Sequence, residues 1–88
     1  MAHDADMAAL GGALRERRHD TIARAAHRIK GAALMYGDEP LAAAAAQLEQ
    51  VARAGASWES TATAASRVDE QTDRLFARIG WPGRRQSA

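Results

Sequence analysis

Residues 26–37 read Ala26-His27-Arg28-Ile29-Lys30-Gly31-Ala32-Ala33-Leu34-Met35-Tyr36-Gly37, and their spacing decides the fold. At about 100° per residue, Ile22, Ala26, Ile29, Ala33 and Tyr36 fall within about 40° of one direction. That is the apolar stripe of an amphipathic helix, and Gly37 is placed where a glycine closes one. His27 lies about 140° from Ile22 on the same wheel, so it points away from the core. Lys30 follows one turn later on its flank, Gly31 one turn later on its other side, and Leu34 on the same outer half.

Working outward, the chain reads as four helical segments. Alanine, the strongest helix former, fills 23 of the 88 positions, and β-branched residues are few. A first helix is expected over about Asp4 to Arg18, on Met7, Leu10 and Leu14, weakened by Gly11-Gly12. His19-Asp20-Thr21 is the expected break, with Asp20 as N-cap of the second helix. Asp38 caps a third helix and Pro40 sits in its first turn. Its apolar face is Leu41, Ala44/Ala45, Leu48 and Val51/Ala52, and Gly55 stops it. Ser57 or Ser60 caps the fourth, whose stripe is Trp58, Ala62, Ala65, Val68, Leu75, Phe76 and Ile79. Thr61 and Thr72 interrupt that stripe for no reason visible in the sequence. Gly80-Trp81-Pro82-Gly83 ends it. The expected architecture is all-α: an antiparallel four-helix bundle, up-down-up-down, in one domain over residues 1–83, with 84–88 as a flexible C-terminal tail.

Composition excludes several functions. With no cysteine there is no disulfide framework, thiolate zinc site or thiol nucleophile. His3 and His19 are too few for a metal site, so no metal and no cofactor are expected. A net charge of +1 is too weak a field for a dedicated nucleic-acid binder. No apolar run approaches the ~20 residues of a membrane span, and the N-terminus has no signal-peptide core. A cytoplasmic protein without membrane or nucleic-acid contact is expected, most simply a monomer.

The positive signal is the outer face of the second helix. An imidazole with an ordinary pKa near 6.5 is largely neutral at pH 7 and is nucleophilic in that form. Gly31 costs roughly 1 kcal/mol against alanine in mid-helix, in a chain that uses alanine elsewhere. Removing the Cβ clears space beside His27 for another molecule. Leu34 suits partner contact. If His27 took a phosphoryl group, Lys30 would supply a nearby cation.

These residues resemble a known family. His27-Arg28-Ile29-Lys30-Gly31 is similar to the H-x-[LI]-K-G core of histidine-containing phosphotransfer (HPt) domains. The resemblance continues without gaps to Gly37, Leu41 and Leu48-Glu49, and with its flanking helices covers about Ala8 to Ile79. It implies a helical bundle that relays a phosphoryl group between aspartates of response-regulator receiver domains. By this resemblance His27 is the phosphoacceptor, Lys30 sits near the phosphate and Gly31 admits the receiver's loops. Glu49, 22 residues after His27, occupies the position of a Gln or Glu that orients the imidazole. Arg53, one turn on, matches a further basic residue of some members.

Other readings stay open beside it. Glu49 is also a simple i,i+4 partner for Arg53. Ala42 and Ala46, read as facing outward, could form a flat docking surface beside Glu49. The chain carries no P-loop, nucleotide-binding glycine box or magnesium-binding acidic cluster near His27. It therefore reads as a phosphocarrier, not an enzyme, with magnesium and aspartate supplied by the partner. The alternative is a helical interaction module that regulates a non-receiver partner through the same face. A sensor-kinase dimerisation piece fits less well, because those carry an acidic residue after the histidine and Arg28 stands here. A free-standing chain and a segment of a hybrid sensor kinase are both compatible with the sequence.

Overall fold

The computed structural model describes residues 2–80, with side chains from residue 5 onward. The expected tail at 84–88, and Trp81-Pro82-Gly83 before it, lie outside the described residues. Four helices follow in order: α1 (Ala2–Glu16), α2 (His19–Met35), α3 (Glu39–Arg53) and α4 (Trp58–Ile79). α1 packs on α2, α2 on α3 and α3 on α4. Short connections make each neighbour antiparallel to the last, as expected of an up-down-up-down bundle. None of the described helices is long and apolar enough to cross a membrane.

Each boundary has a local cause. α1 ends two residues earlier than its periodicity suggests. Arg17 takes a left-handed φ of 54°, and the Arg18 amide donates back to the Ala13 carbonyl at 3.1 Å, closing the helix as a glycine would. The guanidinium of Arg17 lies 4.9 Å from the centroid of the Trp58 ring, a cation–π contact that offsets the backbone strain. Asp20 is not the cap of α2. The N-cap is Arg18, with no side-chain bond, and the Asp20 carboxylate accepts instead from the Thr21 amide at 2.9 Å. That bond, chiefly, holds its pKa below the usual value. His19 belongs to the helix, and its Nε2 lies 2.9 Å from the Ala56 carbonyl oxygen in the α3–α4 connection.

Gly37 at φ 71° reverses the chain after α2. Asp38 then caps α3 as expected, accepting from the Leu41 amide at 3.1 Å. Its side chain is only 1% exposed, and its second oxygen accepts from Arg78 Nη2 at 2.8 Å. One carboxylate thus starts α3 and pins the end of α4 to the end of α2. Ser57 caps α4 through the Ser60 amide.

The core is built from a few large side chains set among alanines. Leu10, Ile22, Ile29, Leu41, Leu48, Val68, Leu75 and Phe76 are buried, and Ala23, Ala25, Ala26, Ala33, Ala42, Ala45 and Ala52 fill the space among them. Each large residue contributes about 1.5–3 kcal/mol by leaving water. Thr61 and Thr72 are fully buried and satisfied within their own helix. Their hydroxyls donate to the carbonyls of Ser57 at 3.0 Å and Val68 at 2.8 Å, so they occupy the apolar stripe without an orphaned donor.

Two stripe residues are corrected. Tyr36 is 47% exposed because α2 ends at Met35 and Tyr36 is its C-cap, so the wheel no longer governs it. Ile79 is 50% exposed because α4, at 22 residues, outruns its neighbour of 15. Trp58 packs only partly on the core, at one end of an open groove of about 740 Å³ between α1 and α4.

Candidate functional site

The site lies on the α2–α3 seam. On α2, Ala23, Lys30, His27 and Leu34 project from one flank of the core stripe; on α3, Glu49, Ala42, Arg53 and Ala46 do the same. The two flanks face each other. Alanine between them lets the helices approach closely enough for a glutamate on one to reach a histidine on the other.

Glu49 is the centre of the arrangement. Its Oε2 lies 3.2 Å from His27 Nδ1. The same oxygen accepts from Arg53 Nε at 3.0 Å and lies 2.9 Å from Arg53 Nη2. The other oxygen, Oε1, lies 3.2 Å from Lys30 Nζ. The Glu49 side chain is only 12% exposed, whereas His27 is 61% exposed. Partial burial pushes the Glu49 carboxyl up, but hydrogen bonds from Arg53, Lys30 and His27 outweigh this and hold its pKa at about 2. Glu49 is therefore ionised at any physiological pH and can only accept hydrogen bonds. It follows that the bonded ring nitrogen, Nδ1, carries the hydrogen. In the neutral ring the lone pair then sits on Nε2, the nitrogen not committed to Glu49.

The surroundings of His27 are open. A Cβ built on Gly31 meets nothing within 4 Å, so the glycine is not required by packing inside this chain. Leu34 and Met35 are exposed just beyond it. On the other flank, Arg28 Nε donates to Asp6 Oδ1 at 3.3 Å and ties α2 to α1.

The structure brings His27, Lys30, Glu49 and Arg53 into one cluster and leaves Gly31 and Leu34 exposed beside it. It does not make Ala42 a docking surface. Ala42 is buried and Ala46 half-buried, because their flank of α3 is the one α2 covers. The role of Lys30 as a ligand of Glu49 was not anticipated; spacing gives a flank, not the distance to the opposite helix. Glu49 serves both as partner to Arg53 and as acceptor for His27. No group of three or more His, Cys, Asp or Glu side chains that could hold a metal ion occurs among the described residues.

Set against models of protein families, the chain matches the Hpt domain over residues 2–78. It belongs to the Hpt domain family, the helical phosphotransfer modules of two-component signalling, which interact with receiver domains. Comparison with curated proteins and with solved structures gave no match.

Proposed function

We propose that this chain is a cytoplasmic phosphorelay intermediate that accepts a phosphoryl group on His27 from a receiver-domain aspartate and passes it to another receiver. The observation that carries this reading is the exposed imidazole whose Nδ1–H is bound by an ionised Glu49. The Nε2 lone pair attacks the phosphorus of the aspartyl phosphate. The N–P bond forms, the P–O bond breaks, and the electron pair stays on the aspartate carboxylate. Nδ1 keeps its hydrogen, so the ring becomes cationic beside Glu49. That contact is stronger after attack than before it, which is the condition for an interaction to lower the barrier. Handing the group on runs the same step in reverse, with neutral imidazole as leaving group.

The rest of the machinery is the partner's in this reading. The aspartate and its magnesium ion come with the receiver, and the chain supplies a nucleophile, a tautomer and room to dock. Gly31, Leu34, Ala46 and Arg53 border the docking area. Exposed Leu34 and Met35 would equally suit a non-receiver partner, and one experiment separates the two. Receiver domains of the source organism, each charged with acetyl phosphate, are mixed with the chain and acid-labile phosphate on it is measured. Uptake should occur with at least one receiver and vanish in His27→Gln, with helicity unchanged by circular dichroism. Uptake that persists at full rate in His27→Gln, or no uptake from any receiver, overturns the proposal.

A further inference from the structure

Two cations touch Glu49, and they do so differently. Both contacts of Arg53 go to Oε2, the oxygen that takes the hydrogen of His27 Nδ1. The single contact of Lys30 goes to Oε1, on the other side of the carboxylate. Arg53 is one turn from Glu49 on the same helix, so its grip is independent of how α2 and α3 sit. Lys30 is one turn from His27 on the imidazole's own helix and spans the seam to reach Glu49.

We infer that Arg53 is a positioning residue that acts on His27 only through Glu49, which leaves to Lys30 the phosphate-side role that the family resemblance already implies. The inference rests on the phosphoacceptor reading of His27. A carboxylate with three single-atom contacts and no anchor would rotate about its last torsion. The Arg53 guanidinium holds Oε2 with a hydrogen bond from Nε at 3.0 Å and a second, ion-pair contact from Nη2 at 2.9 Å, and two points on one rigid plane fix that oxygen better than one. With Oε2 fixed, the ring holds its hydrogen on Nδ1 and presents the lone pair on Nε2. If Oε2 moves away, the ring is free to place its hydrogen on Nε2, and that tautomer has no outward lone pair with which to attack phosphorus.

Lys30 is placed for the other role. It makes one contact, to the oxygen that does not position the ring, and it can leave without disturbing Nδ1. An incoming phosphoryl group on Nε2 offers stronger acceptors than Oε1. The direct alternative, in which Arg53 binds the phosphoryl group itself, has only Nη1 to offer, because Nε and Nη2 are already committed to the oxygen that orients the nucleophile.

The test combines ring nitrogen NMR with a double-mutant cycle. In ¹⁵N-labelled protein above the ring's titration range, the wild type should show hydrogen on Nδ1 of His27. Arg53→Ala and Arg53→Gln should shift the ring toward the Nε2–H tautomer, and Arg53→Lys should recover part of the wild-type signal. Two variants guard against one of them folding poorly, which circular dichroism would reveal. Phosphoryl uptake from an acetyl-phosphate-charged receiver should fall about tenfold in Arg53→Ala, the scale of one hydrogen bond to a charged group. On a Glu49→Ala background the same substitution should cost less than about twofold. An unchanged tautomer in both Arg53 variants overturns the inference. So do losses that add in the double variant, which would mean that Arg53 contacts the phosphoryl group directly. Absence of uptake by the wild type would instead remove the phosphoacceptor reading, and the NMR comparison would still decide what Arg53 does to the ring.

Discussion

Replacing Gly31 with alanine should make the protein more stable and less active. Gly31 is in the interior of α2, exposed, with open space around the position of a Cβ. The substitution adds no clash and removes the conformational freedom that glycine gives the unfolded chain. The gain is about 0.5–1 kcal/mol. For a domain of this size, about 1 kcal/mol raises Tm by about 4–8 °C. The added methyl projects beside His27 on the face a receiver must approach. Phosphoryl uptake should therefore fall with alanine and fall further with the longer Gly31→Gln. Thermal unfolding followed at 222 nm gives the first quantity, and transfer from a charged receiver gives the second. A Tm that drops in Gly31→Ala would refute the account of an unpacked helical position. Uptake at the wild-type rate in both variants would refute the account of the glycine as an access gap.

Three further outcomes follow from the same geometry. Asp38→Ala removes both the α3 cap and the partner of Arg78, and should cost about 2–4 kcal/mol in urea unfolding, with α3 and the end of α4 losing amide protection first. The folded-state pKa of Glu49 lies below its unfolded value, so its contribution is fully present above pH 4.5 and is lost as pH falls toward about 2. That contribution should appear as an acid-side loss of stability that Glu49→Gln largely abolishes. Thr72→Val should change stability by less than about 1 kcal/mol in thermal melts, because the hydroxyl's short bond is to the Val68 carbonyl of its own helix, its other contact is a long one to the Met7 sulfur at 3.7 Å, and the replacement keeps the shape.

The parts of the fold legible in the sequence are those fixed by local chemistry. Asp38, Pro40 and Gly55 bound α3, and the repeat from Leu41 to Ala52 runs unbroken between them. The pairing of His27 with Glu49 is legible only through the family resemblance, since the wheel alone turns His27 away from the core and sets Glu49 on the flank of the α3 stripe. What was not legible depends on distances between helices or on ends. Periodicity assigned Tyr36 to the core, yet periodicity has no meaning one residue past the last helical turn. Asp20 has the right chemistry for a cap, but its carboxylate is taken by the adjacent Thr21 amide and the helix begins at His19. Thr61 and Thr72 break a hydrophobicity pattern without breaking the physics, since each satisfies itself within α4. Ala42 was read as outward because a wheel shows angles around one helix and not which neighbour stands opposite.

The alanines of the α2–α3 seam have a consequence of their own. They act as a spacer gauge: methyl groups at Ala23, Ala26, Ala42 and Ala45 set the gap that a glutamate side chain must bridge. A larger residue at any of them would prise the helices apart. It would draw Glu49 away from His27 without touching a single residue of the cluster. Positions that have no chemistry thus bear on the geometry of the cluster, and a redesigned bundle with a fuller, more stable seam should fold well and carry a misaligned histidine.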